Sequence, residues 1–130
     1  MRVVWVNGCF DVLHRGHIEL FKYARTFGDY LVVGVDTDER VKGSKGLSRP
    51  FNNLEDRITL LGAIKYINET RVFDSDSELK TQILLSEAEV IVVGSDYKDR
   101  NIIGSHLVEE VRFFDRIENY STTKILVGLQ

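Results

Sequence analysis

Three stretches of this chain are apolar at nearly every position: Val3-Val4-Trp5-Val6, Leu31-Val32-Val33-Gly34-Val35 and Val90-Ile91-Val92-Val93. A strand built from such a run has no polar face, so it must be covered on both sides. Two shorter runs, Arg71-Val72-Phe73 and Val111-Arg112-Phe113-Phe114, read as further strands. Helical spacing lies between them. Leu20, Phe21, Ala24 and Phe27 share one face, with Gly28 placed just past the helix end. Leu54, Ile58 and Leu61 repeat at i, i+4, i+7 after Asn53, a cap residue. Ser75-x-x-Glu78 reads as a capping box opening a helix through Leu79, Ile83 and Leu84. Ser121-Thr122-Thr123 precede Ile125, Leu126 and Leu129 of a last helix. The segment from Gly43 to Asn53, which holds the single proline Pro50, reads as the least regular part.

Strands alternating with helices, each strand apolar on both faces, imply α/β architecture with right-handed crossovers. The expectation is a Rossmann-like, doubly wound parallel sheet of five strands with helices on both faces. A length of 130 residues fits one domain spanning 1–130. With 43% apolar residues the chain can build a core and is no disordered tail. No stretch approaches the ~18 apolar residues of a membrane span. The N-terminus, MRVVWVNGCF, shows no cleavage pattern and reads as mature sequence. The lone cysteine, Cys9, allows no internal disulfide and fits a cytoplasmic setting. A net charge of −3 argues against a general nucleic-acid binder.

Ligands of doubly wound sheets bind beyond the carboxyl ends of the strands. The loops there are 7–17, 36–53, 94–105 and 115–123. In the first, Asn7-Gly8-Cys9-Phe10-Asp11-Val12-Leu13-His14-Arg15-Gly16-His17, Gly8 permits a tight turn close to a ligand. The helix N-terminus that follows offers partial positive charge to a phosphate. His14 and His17 are one turn apart and can face the same spot, donating hydrogen bonds to a phosphoryl transition state. A histidine pair could instead hold a metal, but no Cys/His set completes a zinc site, and no metal ligand is assigned. Arg40, Lys42, Lys45 and Arg49 put four cations within ten residues, either a solvated loop or a phosphate clamp.

The run Gly8-Cys9-Phe10-Asp11-Val12-Leu13-His14-Arg15-Gly16-His17 resembles the G-x-F-D-x-x-H-x-G-H signature of the HxGH nucleotidylyltransferase superfamily, in its cytidylyltransferase-like branch. Gly94-Ser95-Asp96-Tyr97-Lys98 is similar to that family's G-x-D-[YW] loop, and Tyr120-Ser121-Thr122-Thr123-Lys124-Ile125 to its S-T-T motif. Ser48-Arg49-Pro50-Phe51-Asn52 with Glu55-Asp56-Arg57 resembles the R-P-x-N…E-x-R segment of bacterial heptose-1-phosphate adenylyltransferases. Against this, Arg116, five residues before Ser121, resembles the arginine of glycerol-3-phosphate cytidylyltransferases.

The resemblance implies transfer of a nucleotidyl group from an NTP, ATP or CTP, to a phosphorylated sugar or polyol, with Mg²⁺ between the phosphates. It implies that His14 and His17 stabilise charge on the α-phosphoryl group, with Lys42 and Lys45 clamping phosphates. Nucleotide would be held by Gly8, Cys9, Phe10, Gly16, Asp96, Arg116, Ser121, Thr122 and Thr123. Asp11, Asp38, Arg49 and Arg57 fall to the acceptor side, Asp11 orienting the loop rather than binding metal. Ordinary capping is the alternative for Ser121–Thr123, and a surface pairing with Glu55 for Arg57. A homodimer is the expected assembly. A non-catalytic nucleotide sensor on the same sheet is the alternative of another class, and a receiver-like acidic pocket at Asp36 and Asp38 a third; both leave the two histidines unexplained.

Overall fold

The structure, a computed structural model, describes residues 1–116. Five parallel strands form one sheet: β1 (Val3–Gly8), β2 (Tyr30–Asp36), β3 (Glu69–Phe73), β4 (Val90–Gly94) and β5 (Glu110–Phe114). Their spatial order is β3-β2-β1-β4-β5, so direction of winding reverses between β1 and β4. Four α-helices lie between them: α1 (Arg15–Arg25), α2 (Asp38–Lys45), α3 (Leu54–Gly62) and α4 (Asp76–Ser86). The S-T-T segment and the expected last helix lie outside the described residues.

The period of two in each strand sorts its side chains into two cores. Val4 and Val6 of β1, Leu31, Val33 and Val35 of β2, and Val90 and Val92 of β4 pack with Phe21 and Ala24 of α1 and Leu61 of α3. Val3, Trp5, Val32 and Ile91 point the other way, onto Phe73 and onto Leu79 and Ile83 of α4. Every one of these residues is buried, so the expected sandwich of helices on both faces holds.

Asn53 caps α3, its Oδ1 accepting from the Asp56 amide at 2.9 Å. Ser75 caps α4 by accepting from the Glu78 amide at 3.0 Å, while Glu78 accepts from the Asp74 amide. Two expectations need correction. The segment after β2 is not irregular throughout: Thr37 caps α2, which runs to Lys45. A low apolar content hid it, since only Val41 is buried. Gly28 is not a helix stop, because α1 ends at Arg25 with Thr26 as its cap. A Cβ at position 28 would sit 2.5 Å from the Arg2 carbonyl oxygen. Glycine is there because α1 and β1 come together, and its conformational freedom is not involved.

Candidate active site

The loop from Gly8 to His17 joins the carboxyl end of β1 to the N-terminus of α1, beside the point where the winding reverses. Phe10 adopts a positive φ of 49° and buries its ring. That ring tilts against Phe21 at 5.3 Å and meets His17 edge-on at 5.6 Å. A Cβ at Gly8 would lie 3.1 Å from the ring, so the turn is tight because Phe10 folds back over it.

His14 is the N-cap of α1. Its Nδ1 accepts from the Gly16 amide at 3.0 Å, and His17 Nδ1 accepts from the His14 amide at 3.2 Å. A neutral imidazole that accepts at Nδ1 carries its proton on Nε2. Both rings are therefore held in the Nε2–H tautomer by backbone donors. The two rings stack, centroids 3.9 Å apart and planes 29° from parallel. Burial, then the neighbouring His14 and Arg116, lowers the His17 pKa to about 3; burial and Arg116 push His14 down as well. The pair is neutral at physiological pH, with the ring protons on Nε2.

Asp11, within this loop, is fully buried. Its carboxylate accepts from the Phe51 and Asn52 amides and from Arg49 Nε, each at 2.8 Å. Asn52 returns a bond from its side chain to the Asp11 carbonyl at 2.7 Å. Burial pushes the Asp11 carboxyl up, but those two amides and Arg49 outweigh it and hold the pKa below the usual range. Arg57 is a second internal tie, also fully buried. It donates to the carbonyls of Cys9 (2.8 Å), Asp36 (2.8 Å) and Asn52 (3.1 Å), and to the Asp38 carboxylate at 2.6 Å. One guanidinium thus fastens the first loop, the end of β2 and the entry to α3 together.

These contacts correct several sequence assignments. Asp11 and Arg57 are framework, because neither has surface left to offer a ligand, and Arg57 is no partner of Glu55. Arg49 spends its Nε on Asp11, and Asp38 spends an oxygen on Arg57. The Gly16 amide serves the His14 cap, and the Cys9 carbonyl accepts from Arg57. Lys42 is exposed and leans toward Glu39 at 3.8 Å.

A cleft of about 780 Å³ opens at the carboxyl ends of the strands. Gly8 and Cys9 line it together with Lys45, which the structure does bring to the site, whereas Lys42 is not among its walls. Tyr97, Asn101, Ile102 and Ile103 close the β4 side. Asp36 and Arg40 form the β2 side; the sequence reading missed Asp36 as part of this wall. Its signal was the i, i+4 spacing to Arg40, legible only once α2 is known to be a helix. Asp96 and Arg116, separated by 20 residues, meet at 3.6 Å. The Arg116 charge acts on both histidines, so this exposed pair flanks the donor site. Among the described residues no group of three or more His, Cys, Asp or Glu could cage a metal ion, and no helix is long and apolar enough to cross a membrane.

Positioned donors beside a helix N-terminus, at the switch point of a parallel sheet, suit group transfer at phosphorus, and this domain is a transferase of the nucleotidyltransferase type. The profile of the cytidylyltransferase-like family matches residues 5–127, and the chain belongs to that family. Bifunctional protein HldE of Campylobacter concisus is 42% identical over 125 residues, 96% of this chain and 26% of the relative. The HldE of Wolinella succinogenes is 36% identical over 129 residues, 99% and 27%. The chain thus spans about a quarter of the length of the curated relatives it matches. Among solved structures, a lipopolysaccharide core biosynthesis protein from Thermoplasma volcanium superposes with a TM-score of 0.72 at 23% identity, covering 88% of this chain and 97% of that one. Pantothenate synthetase from Thermus thermophilus gives 0.63 at 14%, covering 90% and 56%. These two likenesses concern the fold.

Proposed function

We propose that this domain joins the nucleotidyl group of an NTP to a phosphorylated sugar, with ATP and a heptose-1-phosphate-type acceptor as the substrates. The observation that carries the reading is the neutral, stacked histidine pair, with both Nδ1 atoms engaged by backbone amides. The acceptor's phosphate oxygen attacks the α-phosphorus in line. The bond to the β-phosphate oxygen breaks, and pyrophosphate leaves with its electron pair. Negative charge gathers on the α-phosphoryl oxygens, where the two Nε2–H groups are preorganised to donate. The nucleophile is already ionised at neutral pH, so no general base is required. Mg²⁺ would come with the triphosphate and would supply neutralising charge to its phosphates; among the described residues no group of three or more His, Cys, Asp or Glu could hold it by itself.

The heptose choice is supported by the segment 48–57, which the Asp11 and Arg57 ties press directly against the first loop. Arg116 supports a second reading, CTP with glycerol 3-phosphate, because it resembles the arginine of those enzymes and stands beside the histidines. Pyrophosphate release measured with Mg²⁺, pairing ATP or CTP with heptose 1-phosphate or glycerol 3-phosphate, decides among them. Turnover with ATP and the sugar phosphate is the expected result. Tight nucleotide binding without turnover on any pair would make the domain a sensor and overturn the proposal.

A further inference from the structure

The β2 wall of the cleft holds a polar device that the transfer chemistry leaves unused. Asp36 is the last residue of β2, one step beyond Val35, whose strand partner is Gly8 of the first loop. Its Oδ1 accepts from Arg40 Nε at 2.7 Å. Arg40 Nη2 donates to Asp76 at 2.6 Å, and the guanidinium lies over the Phe73 ring, 5.3 Å from its centre. Two carboxylates and an aromatic face thus fix the plane of Arg40 before any ligand arrives. Among the described residues, Asp36 Oδ2 and Arg40 Nη1 take part in no hydrogen bond, and both side chains line the cleft while staying mostly buried, at 19% and 27% exposure.

Arg40 is already paired with both Asp36 and Asp76, whereas Lys45, which lines the same cleft, is the cation better placed to take a phosphate. What remains is an acceptor oxygen beside a donor nitrogen in one rigid plane. A hydroxyl needs to give one hydrogen bond and take another, and neighbouring hydroxyls of a sugar need both kinds of partner side by side. Arg57 welds this wall to the catalytic loop by donating to the carbonyls of both Cys9 and Asp36. Gly8 and Cys9, from the loop that carries the histidines, line the same cleft as the pair, which puts the pair within the space open to a sugar phosphate bound at that loop.

We propose that the Asp36–Arg40 pair reads hydroxyl groups of the acceptor and sets a preference for a hydroxyl-rich sugar phosphate over a short polyol phosphate. This rests on the sugar-phosphate reading above and specifies it. The test compares wild type with Asp36→Asn, which keeps an oxygen for Arg40, and with Arg40→Gln. Kinetics are run with ATP against heptose 1-phosphate, hexose 1-phosphate, its mono-deoxy analogues and glycerol 3-phosphate. Both variants should raise KM for the sugar phosphates on the order of tenfold or more, as expected when a hydrogen bond to a charged group is lost. KM for ATP and kcat should stay within about twofold. The penalty should vanish for the one deoxy analogue that lacks the hydroxyl being read, a pattern that a merely structural ion pair cannot produce. Equal penalties on every acceptor, or on ATP and acceptor alike, overturn the inference while leaving the sugar-phosphate reading intact. Wild-type turnover of glycerol 3-phosphate alone overturns both. If no acceptor turns over, calorimetric titration of hexose 1-phosphate into wild type and Asp36→Asn still decides the inference: equal affinity, or none, defeats it.

Discussion

His17 stays unprotonated at neutral pH because it is packed between Phe10 and His14 with Arg116 nearby, and its Nδ1 is committed as an acceptor. Its link in the α1 cap and its proposed role as an Nε2–H donor make distinct predictions. Replacing His14 or His17 by alanine should lower kcat on the order of 10²–10³-fold, with KM for either substrate changed only a few-fold, because the donors act on charge that develops in the transition state. Steady-state kinetics on both substrates checks this. The pKa of about 3, against 6.5 for an unperturbed histidine, also bears on stability. Between those pH values the unfolded chain binds a proton that the folded chain does not. Stability is therefore full above about pH 6.5 and declines as pH falls toward 3. Urea midpoints at pH 7 and pH 5 should differ more for wild type than for His17→Gln. A third residue-scale expectation concerns Arg116: its replacement by alanine should raise KM for the nucleotide, and unchanged nucleotide kinetics would remove it from the site.

At the scale of elements, the first loop is shaped from outside itself. Asp11 draws segment 49–52 onto it, and Arg57, from the first turn of α3, pins it to the end of β2. Arg57→Leu should destabilise the domain by about 3–5 kcal/mol, since it strands the Asp38 carboxylate and three carbonyls without a donor. Denaturant unfolding followed by circular dichroism measures it. Asp36→Asn, which keeps an oxygen for Arg40 and loses only the charge of that pair, should cost far less. The sequence made the strands, α1, α3 and α4 and the caps Asn53 and Ser75 readable, because apolar period and cap chemistry are local. It did not reveal α2, whose one buried residue, Val41, is too little for a periodic signal. Nor did it separate Lys45 from Lys42, since which lysine faces the cleft depends on that helix being present.

Across the whole molecule, the two cores meet through β1, whose residues alternate between them, and Trp5 stands at the centre with no exposed surface. Gly34 on the adjacent strand leaves room for the Trp5 ring, against which a Cβ would collide directly. Gly34→Ala should therefore cost about 1–3 kcal/mol by overpacking, read from urea unfolding with Trp5, the single tryptophan, as the fluorescent probe. The amino-acid order alone determined the parallel two-faced sheet and the place of the glycine-histidine loop at its carboxyl edge. Both follow from patterns within a dozen residues, where backbone geometry dictates which side chains share a face. Only the tertiary structure decided which charged residues line the cleft and which are internal ties. Asp11, Arg49 and Arg57 read in sequence as acceptor-side residues, yet each has a partner 38 to 48 positions away inside the protein. Whether a charge is spent on the protein itself or kept for a substrate depends on those distant neighbours, and no local pattern encodes them.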